Sequence, residues 1–301
     1  MPTSQQEVDI SVLRKQGFVE NSVKKINGFP VFAIVELNIY GACNRTCSFC
    51  PVSDKDFYTN KYEGISLVLY KKILDDLKTI HYDGVLFFSA FSEPFLSKDL
   101  LSLIELTKTI LPNAKLEIVS NGDVIKKKPN KMLEAFDMGL DTLNISIYDG
   151  EKAFDDFQKL VESLKLTDKQ VILKRRYYDE STGNYGIIFS NRTGYVKTSE
   201  LQGFSPENTE ELPLKKNCFY PFYEVLIDYN GDMILCPHDW GKKYIIGNVE
   251  ETNLWDLWTS KRYEVARIKL SQKDRNFKPC NTCDVHGDVM GRKNFEAWSS
   301  K

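Results

Sequence analysis

Up to about residue 190 the apolar positions switch repeatedly between two spacings. Tyr70, Ile73, Leu74, Leu77 and Ile80 recur every three or four residues, as on one face of a helix, and Gly84-Val-Leu-Phe-Phe-Ser follows as an unbroken apolar run of strand length. The exchange then repeats. Leu100 to Leu111 reads as a helix before the strand Leu116-Glu-Ile-Val-Ser, Lys131 to Met138 as a helix before Thr142-Leu-Asn-Ile-Ser-Ile-Tyr, and Phe154 to Leu164 as a helix before Gln170-Val-Ile-Leu-Lys-Arg-Arg-Tyr. Phe32-Ala-Ile-Val-Glu-Leu-Asn-Ile-Tyr opens the series, and Tyr185-Gly-Ile-Ile-Phe is read as its sixth strand. Strands alternating with helices pair in parallel through right-handed crossovers, so the pattern predicts an α/β fold.

Past residue 200 the pattern changes. Residues from about 200 to 216, with Gly203, Pro206 and Pro213 among polar neighbours, read as a linker. Phe222-Tyr-Glu-Val-Leu-Ile-Asp and Met233-Ile-Leu-Cys236 then flank Asn230-Gly231, two residues that tolerate positive φ, which is a hairpin signature. Ile245-Ile-Gly-Asn-Val and the helical segment Leu254-Trp-Asp-Leu-Trp-Thr-Ser follow. No internal repeat or low-complexity segment interrupts the chain.

Composition narrows the class. With 301 residues, 42% of them hydrophobic and 27% charged, the chain can bury one large core and a smaller one. No apolar run is long enough for a membrane span. A net charge of −2 argues against nucleic acid as a partner, since that affinity rests on a strongly positive surface. Lys126 to Lys128 read as a solvated loop. The start, Met-Pro-Thr-Ser-Gln-Gln-Glu, has no apolar signal segment, which points to the reducing cytoplasm, where thiols stay free for metal.

The candidate chemistry lies in seven cysteines. Cys43, Cys47 and Cys50 fall within eight residues, directly after the first strand-like run. Three thiolates so placed can hold three corners of an iron–sulfur cube and leave the fourth iron open to another ligand. Zinc prefers paired ligands across a longer loop, and no histidine lies near this triad. Cys218, Cys236, Cys280 and Cys283 form a second set, which can complete a closed cluster. A four-cysteine zinc ribbon is the plain alternative for that set, since a hairpin plus Cys-x₂-Cys is how such ribbons are made.

The spacing C-x₃-C-x₂-C, with aromatic Phe49 before the last cysteine, resembles the signature of the radical S-adenosylmethionine (radical SAM) enzymes. Cys218-x₁₂-Gly231-x₄-Cys236 with the distant Cys280-x₂-Cys283 resembles the twitch module, a shortened form of the SPASM domain. These resemblances imply a partial (β/α)₆ barrel with its site at the carboxyl ends of the strands. They divide the chain into an N-terminal extension (1–31), the barrel (32–200) and an auxiliary module (201–301), whose Leu254 helix would pack over the second cluster. Two 4Fe–4S clusters and SAM are the implied cofactors, and flavodoxin or ferredoxin the implied reducing partner.

Several residues follow from the same likeness. Ser89-Ala-Phe-Ser-Glu-Pro-Phe matches the loop that takes the amino group of SAM, with Ser92 and Glu93 as its polar members. Ser120-Asn121-Gly122 and Ser146, at the third and fourth strands, would touch ribose and carboxylate. Arg175 or Arg176 would pair with the carboxylate through its guanidinium fork; strand alternation admits only one of the two, and Arg176 is preferred. Asn191-Arg192-Thr-Gly reads as either a substrate-facing loop or a surface turn. His238 and Asp239, just after ligand Cys236, are placed to take a proton from a substrate hydroxyl. His81 and His286 read as structural or exposed.

The expected reaction is oxidation of a small polar, sugar- or aminocyclitol-like substrate, with the second cluster accepting an electron. Alternatives are a peptide-modifying or activating enzyme, and a redox-neutral epimerase or deaminase. Only 42 residues precede Cys43, which disfavours a leader-binding domain and hence a peptide substrate. A non-catalytic electron carrier or zinc module accounts for the cysteines but not for the polar loops at the strand ends.

Overall fold

A computed structural model describes residues 9–20, 23–201 and 210–299, so Gly203 and Pro206 of the expected linker lie outside the described residues. The chain begins with α1 (Ile10–Val19) and a short hairpin, β1 (Lys25–Ile26) and β2 (Phe29–Pro30). The alternating series follows: β3 (Ile34–Leu37), α2 (Leu67–Thr79), β4 (Val85–Phe88), α3 (Leu100–Ile110), β5 (Lys115–Ser120), α4 (Asp123–Lys127), α5 (Asn130–Asp137), β6 (Thr142–Ile147), α6 (Glu151–Ser163) and β7 (Val171–Arg175). The last third contributes the single turn α7 (Tyr220–Tyr223), β8 (Glu224–Ile227), β9 (Asp232–Ile234), β10 (Ile245–Asn248), α8 (Leu254–Trp258), α9 (Lys261–Ser271) and α10 (Arg292–Ser299).

Local chemistry sets the boundaries. Ser66 caps α2 by accepting from Leu69 N at 3.1 Å, and Asn253 caps α8 by accepting from Trp255 N at 2.8 Å. Lys126 and Lys127 are exposed in the last turn of α4, where positive charge suits the helix dipole. In the hairpin, Gly231 holds φ +88°, and a Cβ there would lie 2.7 Å from the Asn248 side chain.

All the larger strands join one eight-stranded sheet in the order β10-β9-β8-β3-β4-β5-β6-β7. Six of them, β8 and β3 to β7, are parallel, and β9 and β10 are antiparallel additions. Two expectations are corrected by this arrangement. Tyr185 to Phe189 is not a strand, because Gly186 takes φ +65° and the rings of Tyr185 and Phe189 pack on Phe49, with centroids 6.3 and 5.3 Å away. The sixth parallel strand is β8, which runs alongside β3 from Ile34↔Glu224 to Leu37↔Ile227. The hairpin of the C-terminal region is therefore an extension of the main sheet.

One face of the sheet is covered by α2, α3, α5 and α6, through Ile73, Leu77, Leu103, Ile104, Met132 and Phe157. The other face wraps α1. Arg14 reaches Glu117 on β5 and Thr142 on β6, while Lys15 reaches Glu36 on β3 and Glu224 on β8. A ten-residue helix that touches four strands requires the sheet to curl around it. The Leu254 helix, α8, lies against α2, and Trp258 donates to Pro30 O at 2.8 Å. Its successor α9 brings Tyr263 into the electrostatic range of Cys236 and Cys218. Among the described residues no helix is long and apolar enough to cross a membrane.

Candidate active site

The triad loop follows β3 and is fixed from several sides. At Gly41 a Cβ would meet Lys61 O at 2.6 Å, so the close turn admits no side chain. Asn60 makes a reciprocal pair with Cys43, accepting from its N at 2.9 Å and donating to its O at 3.0 Å. Arg45 forks to Asp123 (2.5 Å) and Asp149 (2.7 Å), which stand beyond the ends of β5 and β6, and its guanidinium lies 5.1 Å from the Tyr148 ring. Phe49 stacks on Tyr148 with centroids 6.0 Å apart.

All seven cysteines are unpaired, and the donor chemistry divides them into two sets. Burial pushes the Cys43 thiol up to about 11, with the charges of Glu93 and Cys50 adding to it. Burial followed by Cys50 and Cys43 carries Cys47 to about 12. In the second set burial again leads, and Cys218, Cys280 and Cys283 each add to the rise at Cys236. Thiols crowded in this way hold their protons unless a cation takes up the charge, and iron does so.

The surroundings of the second set suit ligands held from behind. A Cβ at Gly287 would fall 2.3 Å from Cys218 Sγ. Buried Arg275 donates to Lys216 O (3.1 Å), Asn217 O (2.8 Å) and Val285 O (2.9 Å), tying the segments on either side of the set together. Among the described residues no three His, Cys, Asp or Glu side chains converge closely enough for a single ion. The fit of iron–sulfur clusters therefore rests on the number and grouping of the thiols.

A cavity of about 1110 Å³ lies at the carboxyl ends of the parallel strands. Cys43, Cys47 and Cys50 line one side, and Pro237, His238, Asp284 and Val285, all chain neighbours of the second set, line another. Of the ten expected site residues other than cysteines, nine face this cavity, and Asp239 does not. Both Asp239 oxygens are engaged elsewhere, accepting from Lys243 N at 2.9 Å and Tyr244 N at 2.8 Å.

The polar loops brace one another. Glu93 is buried and accepts from Ser120 Oγ (2.8 Å), Asn121 N (2.7 Å) and Phe95 N (3.1 Å). Burial pushes its carboxyl up to about 7 against these donors. Ser92 donates to Asn38 Oδ1 at 2.7 Å, and Asn38 donates to Asp228 beyond β8 at 2.7 Å. Asn121 donates to Asn44 Oδ1 at 2.9 Å, joining the third strand end to the triad loop.

The cations at the end of β7 divide between its two faces. Arg176 lines the cavity, but its guanidinium is occupied by Asp9 (3.0 Å), Ser11 (2.8 Å) and the carbonyl of Gly186. Arg175 turns outward to Asn184, donating to its Oδ1 at 2.6 Å. Lys174, opposite Ser146 in the strand register, is 4% exposed, lines the cavity, and has no hydrogen-bond or ion-pair partner among the described residues. Burial first and then Arg176 bring its ammonium down to about 7. Strand alternation held the clue, since Lys174 and Arg176 share a face.

The contribution of α1 to the cavity was not read from the sequence. Asp9, Ser11, Arg14 and Lys15 all line it, together with Glu36. Lys15 lies 3.2 Å from Glu36 and 2.8 Å from Glu224, and Ser89 donates to Glu36 at 2.7 Å. Burial opposes all three charges. Lys15 nevertheless holds the Glu36 carboxyl below the usual carboxylate range, while burial, with the repulsion of Glu36 adding to it, pushes the Glu224 carboxyl up. The available signal was a glutamate inside each of two apolar strands, Ile-Val-Glu36-Leu and Leu-Glu117-Ile-Val.

Also lining the cavity, Arg192 donates to His238 Nδ1 at 3.1 Å. A guanidinium is always a donor, so Nδ1 accepts and the imidazole is neutral. Burial, reinforced by Arg192 and Lys15, holds it so.

Three cysteines opening into a strand-end cavity, with four more behind its far wall, define a radical SAM protein with an auxiliary iron–sulfur domain. The chain belongs to that superfamily: the Radical SAM superfamily profile matches residues 37–174, and the iron–sulfur cluster-binding SPASM domain matches residues 218–284. It is an enzyme of SAM and iron–sulfur clusters. A similar curated protein is the S-adenosyl-L-methionine-dependent 2-deoxy-scyllo-inosamine dehydrogenase of Niallia circulans, 25% identical over 260 residues that span 85% of this chain and 95% of the relative. Among solved structures, BtrN in complex with AdoMet and 2-DOIA has 23% identity and a TM-score of 0.71, covering 87% of this chain and 97% of its own. Histidine-tagged anSMEcpe with bound AdoMet has 11% identity and a TM-score of 0.52, covering 90% of this chain and 93% of its own. These two structures show a shared fold.

Proposed function

We propose that the enzyme oxidises a secondary alcohol of an aminocyclitol-like polyol to a ketone. The observation that carries this reading is the single cavity bounded by the triad on one side and by neighbours of the four-cysteine set on the other. The likeness to the Niallia circulans dehydrogenase along nearly its whole length supports it. In this reading Cys43, Cys47 and Cys50 hold one 4Fe–4S cluster and Cys218, Cys236, Cys280 and Cys283 a second. The barrel (32–200) and the auxiliary module (201–301) then divide the chemistry while sharing one sheet. When bound, SAM and the two clusters would supply one-electron chemistry, removal of a hydrogen atom from the carbinol carbon and an acceptor for the electron left behind.

The protein's own groups orient and deprotonate. Ser92, Glu93, Ser120 and Asn121 form the polar rim beside the triad where the methionine and ribose parts of SAM would lie, with Phe49 below them. Ser146 and Lys174, a hydroxyl and an unpartnered cation on adjacent strands, are assigned to the SAM carboxylate, with Arg176 completing the positive wall. Arg192 and His238 hold the substrate hydroxyls. Glu36, a cavity-lining carboxylate held by Lys15 and Ser89, receives the alcohol proton, and Lys15 stays charged beside it. A small reductant such as flavodoxin or ferredoxin supplies the initiating electron.

The test is anaerobic turnover of reconstituted protein with SAM, dithionite and 2-deoxy-scyllo-inosamine. Ketone formed with about one 5′-deoxyadenosine per turnover is expected. A product at the substrate's own oxidation level would replace this reading with epimerisation or deamination. Glu36→Gln is expected to lower ketone formation at least about 100-fold while SAM cleavage continues.

A further inference from the structure

The loop that carries Arg192 is strained and clamped in a way that cavity lining alone does not require. Arg192 and Thr193 hold φ of +47° and +58°, consecutive left-handed residues without a glycine between them. Thr193 is β-branched, buried, and has a hydroxyl without a hydrogen-bond partner among the described residues. A left-handed conformation is unfavourable for a residue with a Cβ and persists only where surrounding contacts over-determine it.

Those contacts come from the segment of the second cysteine set. Both Asp284 oxygens accept from Asn191 N at 2.9 Å. Asn191 Nδ2 donates to Thr282 O at 2.8 Å, and Thr282 Oγ1 donates to Thr193 O at 2.7 Å. The Asn191 side chain closes the turn by accepting from Gly194 N at 3.3 Å. Thr282 lies between Cys280 and Cys283, and Asp284 follows directly. From the other side His238, two residues beyond Cys236, receives the Arg192 guanidinium. Arg192, Cys50 and Asp284 line the same cavity, and the charge of Arg192 acts on the other two.

We infer that the Cys280–Asp284 segment has a second role besides supplying thiolates: through Thr282 and Asp284 it holds Arg192 in its left-handed conformation, with the guanidinium projecting into the cavity toward Cys50. Thr282 and Asp284 are positioning residues, and Arg192 is the group they position. The two cysteine sets are then coupled mechanically, because ordering the second set orders a cation beside the first. This rests on the reading of the site as a two-cluster enzyme with Arg192 inside it. The coupling itself needs no knowledge of the substrate.

The experiment uses the full chain, anaerobically reconstituted, as wild type, Thr282→Val, Asp284→Asn and Arg192→Met. Three quantities are read without substrate: iron content, amide hydrogen exchange across residues 190–196, and the midpoint potential of the SAM-binding cluster. In the two clamp variants exchange should accelerate at least tenfold at wild-type iron content. Their midpoint should move negative, in the same direction as in Arg192→Met, because a cation has left the vicinity of Cys50. If Arg192→Met shifts the potential and the clamp variants do not, these contacts do not position the guanidinium and the inference is overturned. If Arg192→Met leaves the potential unmoved, the placement of Arg192 beside the first cluster is itself wrong, and the coupling goes with it. Loss of iron from both clamp variants would make the contacts merely cluster-retaining and would equally overturn it.

Discussion

Lys174 occupies an exacting environment for a charged side chain. An ammonium 4% exposed and without an acceptor among the described residues awaits a negative group, and Ser146 beside it offers a matching hydroxyl. Lys174→Met should weaken SAM binding to the reconstituted protein by roughly 10- to 100-fold, the range expected of one charge-assisted hydrogen bond, and Lys174→Arg should recover part of it. Equilibrium binding of SAM measures both. The same group gives the apo protein a pH signature. An unfolded lysine keeps its proton to about 10.4, whereas the folded one releases it near 7, so between those values the unfolded state binds more protons. Raising pH from 7.5 to 8.5 should therefore stabilise wild type relative to Lys174→Met, by at most about 1.4 kcal/mol, as read from urea midpoints. Arg176, Asp9, Glu117 and Lys15 surround it and set the size of that difference. Spacing alone marked the seven cysteines, because a cluster loop is local in sequence. Which cation of Lys174-Arg175-Arg176 stays free could not be read, because that depends on Asp9 arriving from another part of the chain.

Among the elements, α1 contributes far more than its ten residues suggest. Arg14 is the counter-ion of Glu117, whose side chain is 0% exposed and also accepts from Asn144 at 3.0 Å. Removing one partner of a buried pair leaves an uncompensated charge, so Arg14→Met should destabilise by about 3 kcal/mol or more. Adding Glu117→Gln should restore much of the loss, and a double-mutant cycle in urea would show the coupling. Nothing local announced this arrangement. The alternating apolar runs placed five strands of the sheet, since each run is buried whatever it pairs with. They misplaced the sixth, because Tyr185 to Phe189 is equally apolar but is spent on covering Phe49. The pairing of β8 with β3 joins residues about 190 positions apart, beyond the reach of any periodicity.

At the scale of the whole molecule the two cysteine sets should be separable by mutation. Cys47→Ala is expected to retain about four irons per chain and lose SAM cleavage, whereas Cys283→Ala should also retain about four irons but keep SAM cleavage and lose ketone formation. Iron analysis and 5′-deoxyadenosine release distinguish the two. One feature of the architecture governs how such sets communicate. The triad follows β3 directly, Cys236 follows β9, and both strands belong to a single hydrogen-bonded sheet. On the two-cluster reading proposed above, an electron crossing the cavity would face a gap set by that one sheet, with no hinge between β3 and β9 and no docking search beforehand. Its transfer should be governed by tunnelling distance and driving force, and indifferent to the viscosity of the medium.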